Sequence, residues 1–423
     1  MPGPRAELTV AGQPPDGQPV PADGALPPDA VAQLGSRPFG VYVHVPFCMT
    51  RCGYCDFNTY TATELGSGAS RESYAGLAIA EVRQAGRVLG GRAGRAGPVQ
   101  AGPVQTVFFG GGTPTLLPAA DLAAILRSID EEFGLARGAE VTAEANPETV
   151  DQPMLEQLRR GGFTRISLGM QSAAPHVLSV LDRVHQPGRP QQCVAWARAA
   201  GFEHVSLDLI YGTPGETDAD WARSLDSAAA AGPDHISAYA LIVEEGTRLA
   251  ARIRRGELAA PDDDELADRY LAADAYLASA GLGWYEISNW AAGESARCRH
   301  NQLYWTGGDW WGIGPGAHSH VGGTRWWNVR HPAAYAERIS AGRSPGQARE
   351  ILTGAERAME RVMLTTRLSE GCPLADLTPT GRKAAAQAVA DGLAQPEAYA
   401  AGRVVLTTRG RLLADAVIRA LTD

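Results

Sequence analysis

The sequence predicts an α/β protein: a partial (β/α)6 barrel followed by a small C-terminal α+β domain of winged-helix-like order. Three observations carry this. Six short runs of β-branched and apolar residues recur between residues 38 and 240, helical patterns fall between them, and polar or glycine residues end nearly every run. Such alternation over this length favours a mostly parallel sheet wrapped by helices.

The six runs are Val41–Val45, Thr106–Phe109, Glu140–Ala143, Arg165–Leu168, His204–Leu209 and His235–Tyr239. After the second, Leu122, Ile125, Leu126, Ile129 and Phe133 repeat at helical spacing, which gives one apolar face to lay on a sheet. The residues closing the runs are Gly110–Thr113, Glu144 and Asn146, Gln171 and Ser172, Asp208, then Glu244 and Glu245. In parallel α/β folds the strand C-termini open into the loops that hold the active site, so these side chains are expected around one mouth. Any surface loop is polar, however, so they do not by themselves separate a site from plain exposure.

The ends differ from this middle. Residues 1–36 hold eight prolines, five glycines and no aromatic residue, too little apolar surface to offset the entropy of ordering. A disordered leader is expected there, and the barrel over 37–339. Within it, Ala85–Gln105 repeats AGPVQ in tandem and reads as a surface insertion. A Gly/Ser/Pro linker around Ser340–Gln347 leads to an accessory domain over 348–423. That domain is expected to have a helix over Glu350–Thr366, a strand at Val404–Leu406 and an amphipathic helix through Leu412–Leu421.

Apolar residues make up 44% and charged ones 20%, an ordinary globular composition. The net charge of −9 gives no attraction for phosphate backbones, so nucleic acid is not an expected partner. No apolar run reaches the roughly 18 residues of a membrane span, and no basic-then-apolar secretory leader is present. A cytoplasmic location is expected.

The chemistry concentrates in the cysteines. Cys193, Cys298 and Cys372 are scattered, whereas Cys48, Cys52 and Cys55 share one loop. In a reducing compartment such a group reads as a metal or reactive site. Cys-x3-Cys-x2-Cys supplies three thiolates, so a [4Fe–4S] cluster bound there keeps one iron open for an amino-acid chelate. Two plainer readings stand beside it: a zinc site completed by His44 or Asp56, and three buried structural cysteines.

The cysteine run, the Tyr42-Val-His-Val-Pro-Phe segment before it and Gly110-Gly-Gly-Thr-Pro114 resemble the radical S-adenosylmethionine superfamily. Within it they resemble the branch of oxygen-independent coproporphyrinogen III oxidase, from about Pro38 into the tail. The resemblance implies a [4Fe–4S] cluster on Cys48, Cys52 and Cys55, with S-adenosylmethionine on its open iron. Tyr42 is then beside the cluster, Tyr54 stacks on adenine, and Gly111, Gly112 and Thr113 contact the cofactor. Glu144 and Gln171 hydrogen-bond it, Arg183 pairs with its carboxylate, Asp208 accepts from the ribose and Ala240 lines the adenine. Without the resemblance, Glu144 reads equally as a helix cap and Arg183 as a solvated charge.

The chain departs from the oxidase at Cys55-Asp56-Phe57, where that enzyme has a further cysteine two residues after the third. Cys298-Arg-His300-Asn301-Gln-Leu-Tyr304-Trp305 instead resembles a motif of the branch's heme chaperones. That resemblance implies heme as cargo and heme-acceptor proteins as partners. His300 is then the axial ligand, with Asn301, Tyr304 and Trp305 around it. The competing reading is that these aromatics close the barrel's side, with Cys298, His318 and His320 as other possible iron ligands. The rival functions are a radical oxidase or decarboxylase of a tetrapyrrole, a radical methyltransferase, and a cluster-based redox sensor.

Overall fold

A computed structural model describes residues 17–66, 68–90, 102–183, 186 and 188–423. The six expected strands form where the apolar runs place them, each extended by a few residues: β2 (Phe39–Val45), β3 (Val104–Gly111), β4 (Leu135–Ala145), β5 (Arg165–Gln171), β6 (His204–Tyr211) and β7 (His235–Ala240). They lie side by side in chain order and all pair in parallel. One face, through Val41, Val43, Val107, Phe109, Val141, Ile166, Leu168, Val205 and Leu207, is fully buried in the main core. The helix Ala119–Phe133 packs there through the five apolar positions its periodicity predicts. The alternate residues point to the other, concave face.

The sheet continues beyond the six units. It holds β1 (Gln18–Pro19), β8 (Gly283–Glu286), β9 (Asn289–Ala291), β10 (Asp309–Ile313), β11 (His318–Val321), β12 (Thr324–Asn328) and β13 (Gly346–Ile351) as well. The order is β1-β13-β12-β11-β10-β2-β3-β4-β5-β6-β7-β9-β8. β10 returns beside β2 as a seventh parallel strand, with Trp310 opposite Gly40 and Gly312 opposite Tyr42. The meander β11–β13 extends that side antiparallel, and β9 and β8 extend the far side.

Several expectations about the ends are corrected. Residues 17–36 are not structureless: β1 pairs with β13, Gln18 opposite Arg349, and the short helix Pro28–Ala32 buries Ala30. Residues 1–16 lie outside the described residues. So do 91–101 of the supposed insertion; its start, Ala85–Leu89, finishes the helix Arg71–Leu89, and Val104 already belongs to β3. Part of the supposed linker is strand β13, and the next helix begins at Gly354. In the tail, β14 (Cys372–Pro373) pairs with β15 (Arg403–Val404), and the helices Pro379–Ala390 and Ala414–Thr422 close over a separate apolar cluster that includes Val362, Leu377, Ala385, Val417 and Leu421. Arg411 ties this cluster back to Asp274 on the barrel's helix Asp263–Ser279.

Glu81 joins the helix layer to the meander. Its carboxylate accepts from Gly314 N at 2.7 Å, Asn328 Nδ2 at 2.7 Å and Tyr335 OH at 2.6 Å. Burial pushes this carboxyl from its ordinary 4.5 up to about 7. Between those values the folded protein holds a proton that the unfolded chain has released, so stability falls as pH rises. At about 1.4 kcal/mol per unit, the loss is about 3 kcal/mol. Thermal melts from pH 4.5 to pH 7 should therefore show a smaller decline for Glu81→Gln than for the wild type. Parallel declines would refute the assignment.

Candidate cluster and cofactor site

The concave face opens into a cavity of about 1010 Å³ at the C-terminal ends of the parallel strands. The cysteine loop closes one side of it. Its neck is set by backbone bonds from Cys48 N to Tyr60 O and from Tyr60 N to Pro46 O, so the loop leaves and rejoins β2 at one point. Thr113 N and Gly112 N bond Phe47 O and Val45 O, which docks the glycine turn beneath the loop. Gly112 has no alternative there, since a Cβ would lie 2.4 Å from the Phe47 carbonyl oxygen. Gly111, at φ +105°, leaves the space that the His44 ring fills.

Twelve of the thirteen residues expected to hold the cluster and its cofactor line this one cavity: Cys48, Cys52, Cys55, Tyr54, Gly111, Gly112, Thr113, Glu144, Gln171, Arg183, Asp208 and Ala240. Tyr42 is the exception. Its hydroxyl bonds His44 Nδ1 at 3.0 Å and its ring stacks on Phe108, so it supports the wall from behind. Arg183 is no solvated charge: Nη2 donates to Gly169 O at 2.8 Å and Nη1 lies 3.7 Å from Cys52 Sγ. Glu144 accepts from Gly111 N at 3.2 Å rather than capping a helix, and Asp208 accepts from Ser167 Oγ. Burial, with Asp208 nearby, pushes Glu144 up to about 8; burial pushes Asp208 up to about 6. A cationic ligand beside two such carboxyls would favour their ionised forms.

Among the described residues, two that bear side chains have positive φ, Gln171 at 64° and Asp182 at 53°, and both line this cavity. Backbone strain of this kind concentrates at binding sites. The sequence showed neither, because only the folded loop reveals the angle.

The donor set fits a cluster better than a single ion. Among the described residues no three His, Cys, Asp or Glu side chains converge on one metal position. A cubane asks for less, because each thiolate binds its own iron. The zinc reading also loses one of its two candidate fourth ligands: His44 Nδ1 bonds Tyr42 OH, and Nε2 bonds Asn58 O at 2.9 Å. The third reading fails as well, since all three thiols are partly exposed to the cavity.

The His300 motif lies on the helix Arg299–Trp305. His300 is 1% exposed; Nδ1 bonds Thr106 Oγ1 at 2.8 Å and Nε2 bonds Tyr304 OH at 2.7 Å. Asn301 and Trp305 hydrogen-bond the buried Glu286. The helix Arg299–Trp305 thus plugs the lower end of the barrel. Of the four, only Asn301 reaches the cavity, where Cys298 also shows a face. The other suggested ligand His320 is buried and bonds Gly308 O through Nδ1.

Sequence reasoning missed the pair beneath this plug. Arg165 on β5 bonds Glu140 on β4 at 3.1 Å, and both are nearly inaccessible. Arg165 also donates to Ala296 O at 2.7 Å and Arg297 O at 3.0 Å, while Glu140 accepts from His300 N at 3.1 Å. Opposite charges inside two otherwise apolar neighbouring runs were the available signal.

The radical SAM superfamily profile matches residues 42–228. The heme chaperone HemW of Mycobacterium tuberculosis is 52% identical over 92% of this chain and 96% of its own length. HemW of Synechocystis is 36% identical over 80% of both chains. Among solved structures, the Escherichia coli coproporphyrinogen III oxidase HemN superposes with a TM-score of 0.77, 23% identity and coverage of 93% and 92%. That likeness establishes the fold, a radical SAM barrel, and says nothing of substrate. Radical SAM membership implies a [4Fe–4S] cluster and S-adenosylmethionine, and no described helix is long and apolar enough to cross a membrane. By its identity to M. tuberculosis HemW over nearly the full length of both, the chain belongs to the HemW family of the radical SAM superfamily.

Proposed function

We propose that this protein carries heme in the cytoplasm and delivers it to heme-acceptor proteins. In this reading Cys48, Cys52 and Cys55 hold a [4Fe–4S] cluster. Tyr54, Gly111, Gly112, Thr113, Glu144, Gln171, Arg183, Asp208 and Ala240 hold S-adenosylmethionine beside it. The observation that carries the reading is the match, over nearly all of both chains, to a protein named a heme chaperone. Phe57 supports it, standing where the oxidase-type loop has its further cysteine.

When bound, the cluster and S-adenosylmethionine supply one-electron chemistry. The chain's own part is positional. Arg183 sets a cation 3.7 Å from Cys52 Sγ. Glu144 and Asp208 offer acceptors to a ligand's ammonium and hydroxyls, and the cavity wall limits water.

Two assays on the reconstituted protein test the function. Hemin titration should give a saturable Soret band at about one heme per chain, a well-filled single site. Incubation with coproporphyrinogen III, S-adenosylmethionine and reductant should give no vinyl product. No saturable band, or steady vinyl formation, would replace the carrier with an oxidase.

A further inference from the structure

The helix Pro175–Val180 ends in a paired turn: Asp182 N bonds Ser179 O at 3.3 Å and Arg183 N bonds Leu178 O at 2.9 Å. Such a closure needs one residue in the left-handed region, and glycine is the ordinary choice because it has no Cβ to strain. Here the position is taken by Asp182, at φ 53°. Its neighbours go to different places. Leu181 is fully buried in a small apolar cluster with Val177 and Leu249, against which Tyr54 packs. Arg183 reaches Gly169 O and Cys52 Sγ.

A glycine would make that turn with less strain, so what the aspartate adds is its carboxylate. The carboxylate lies against the cysteine loop. Gly53 follows Cys52, and a Cβ on it would stand 2.6 Å from Asp182 Oδ2, so the loop backbone and the carboxylate pack with no room for a side chain between them. The same oxygen accepts from Arg248 Nη1 at 3.1 Å. Arg248 opens the helix Arg248–Arg254, and the next residue, Leu249, donates its N–H to Gly53 O at 2.8 Å. Gly53 thus meets Asp182 on one side, while its carbonyl is held by the helix that Arg248 begins. The ion pair joins the two holds.

We infer that Asp182 and Arg248 are positioning residues of the cluster site: together they clasp the loop at Gly53 and keep Cys52 and Cys55 facing the cavity. Cys55 N bonds Cys52 O at 3.2 Å, so a grip on the peptide between them restrains both thiols. The Arg248 side chain is 62% exposed and that of Asp182 27%, so salt screens the pair and its grip is modest. The inference rests on the cluster reading of the three cysteines and adds the residues that shape their loop.

Full-length protein, reconstituted anaerobically and then mixed with excess ferrous-iron chelator, reports the clasp as the rate at which cluster absorbance is lost. Asp182→Asn and Arg248→Ala should lose the cluster about two- to fivefold faster than the wild type at low salt, with Arg248→Lys between them and the wild type. At about 1 M salt the wild type should lose it as fast as these variants. Arg255→Ala, which breaks an exposed pair with Glu257, should behave as wild type. Asp182→Gly separates positioning from stability. Its cluster-free form should melt at or above the wild-type temperature, because glycine relieves the turn, yet its cluster should leave as fast as that of Asp182→Asn. A cluster as durable in Asp182→Gly as in the wild type, or losses that simply follow the melting temperatures, overturns the clasp and leaves the cluster reading standing. A wild type that takes up no iron overturns that reading, and the clasp with it.

Discussion

Arg165→Ala should destabilise the protein by about 3–5 kcal/mol, the cost of breaking a buried ion pair from one side. The guanidinium is 1% exposed and satisfies the Glu140 carboxylate, Ser206 and the carbonyls of Ala296 and Arg297. Alanine leaves a buried anion without its cation and two carbonyls without the guanidinium donor, and buried acceptors without partners are individually costly. Arg165→Lys keeps the charge without the planar fork and should lose less. Arg165→Met paired with Glu140→Leu removes both charges and should recover much of the loss. Urea melts give the comparison, and a single-alanine loss below about 1 kcal/mol would show that the pair is already hydrated. Because Glu140 also holds His300 N, Arg165→Ala should loosen the floor plug as well.

The other large effect concerns iron. Cys48→Ala, Cys52→Ala and Cys55→Ala should each retain less than about a tenth of the wild-type iron and labile sulfide after anaerobic reconstitution, since a cubane with two protein thiolates is poorly held. Cys193→Ala and Cys372→Ala should retain all of it. Those two thiols are buried and donate to backbone carbonyls, Cys193 to Pro147 O and Cys372 to Pro373 O. Full iron in Cys52→Ala, or stoichiometric zinc in the wild type, would remove the basis for S-adenosylmethionine binding. Burial raises the Cys48 and Cys55 thiols, Cys55 to about 11, so loading should release protons and improve toward higher pH.

The parallel strands were legible because β2–β7 are buried runs with a regular alternation of helix-facing and cavity-facing residues. The mouth was legible for the same reason: polar residues at strand ends have one place to go. β10 was not, since Asp309-Trp-Trp-Gly-Ile pairs with a strand far earlier in the chain and no local pattern names that partner. Residues 17–36 misled through composition alone, because an edge strand needs only a free neighbouring edge, which β13 provides. The His300 motif was legible only in part. Residue types announced an imidazole among aromatics, but whether its nitrogens face a ligand or Thr106 and Tyr304 is decided by packing. Asp182 left no mark in the sequence, and neither did the positive φ of Gln171.

The strand order also constrains timing. β2 carries the cysteine loop, yet one of its two flanks is completed only by β10. A ribosome that has released the cysteines still has the Asp309–Ile313 segment to make, and until then that flank of β2 is a bare edge. The sheet that carries the cysteine loop is therefore complete on both sides only after the Asp309–Ile313 segment has been made.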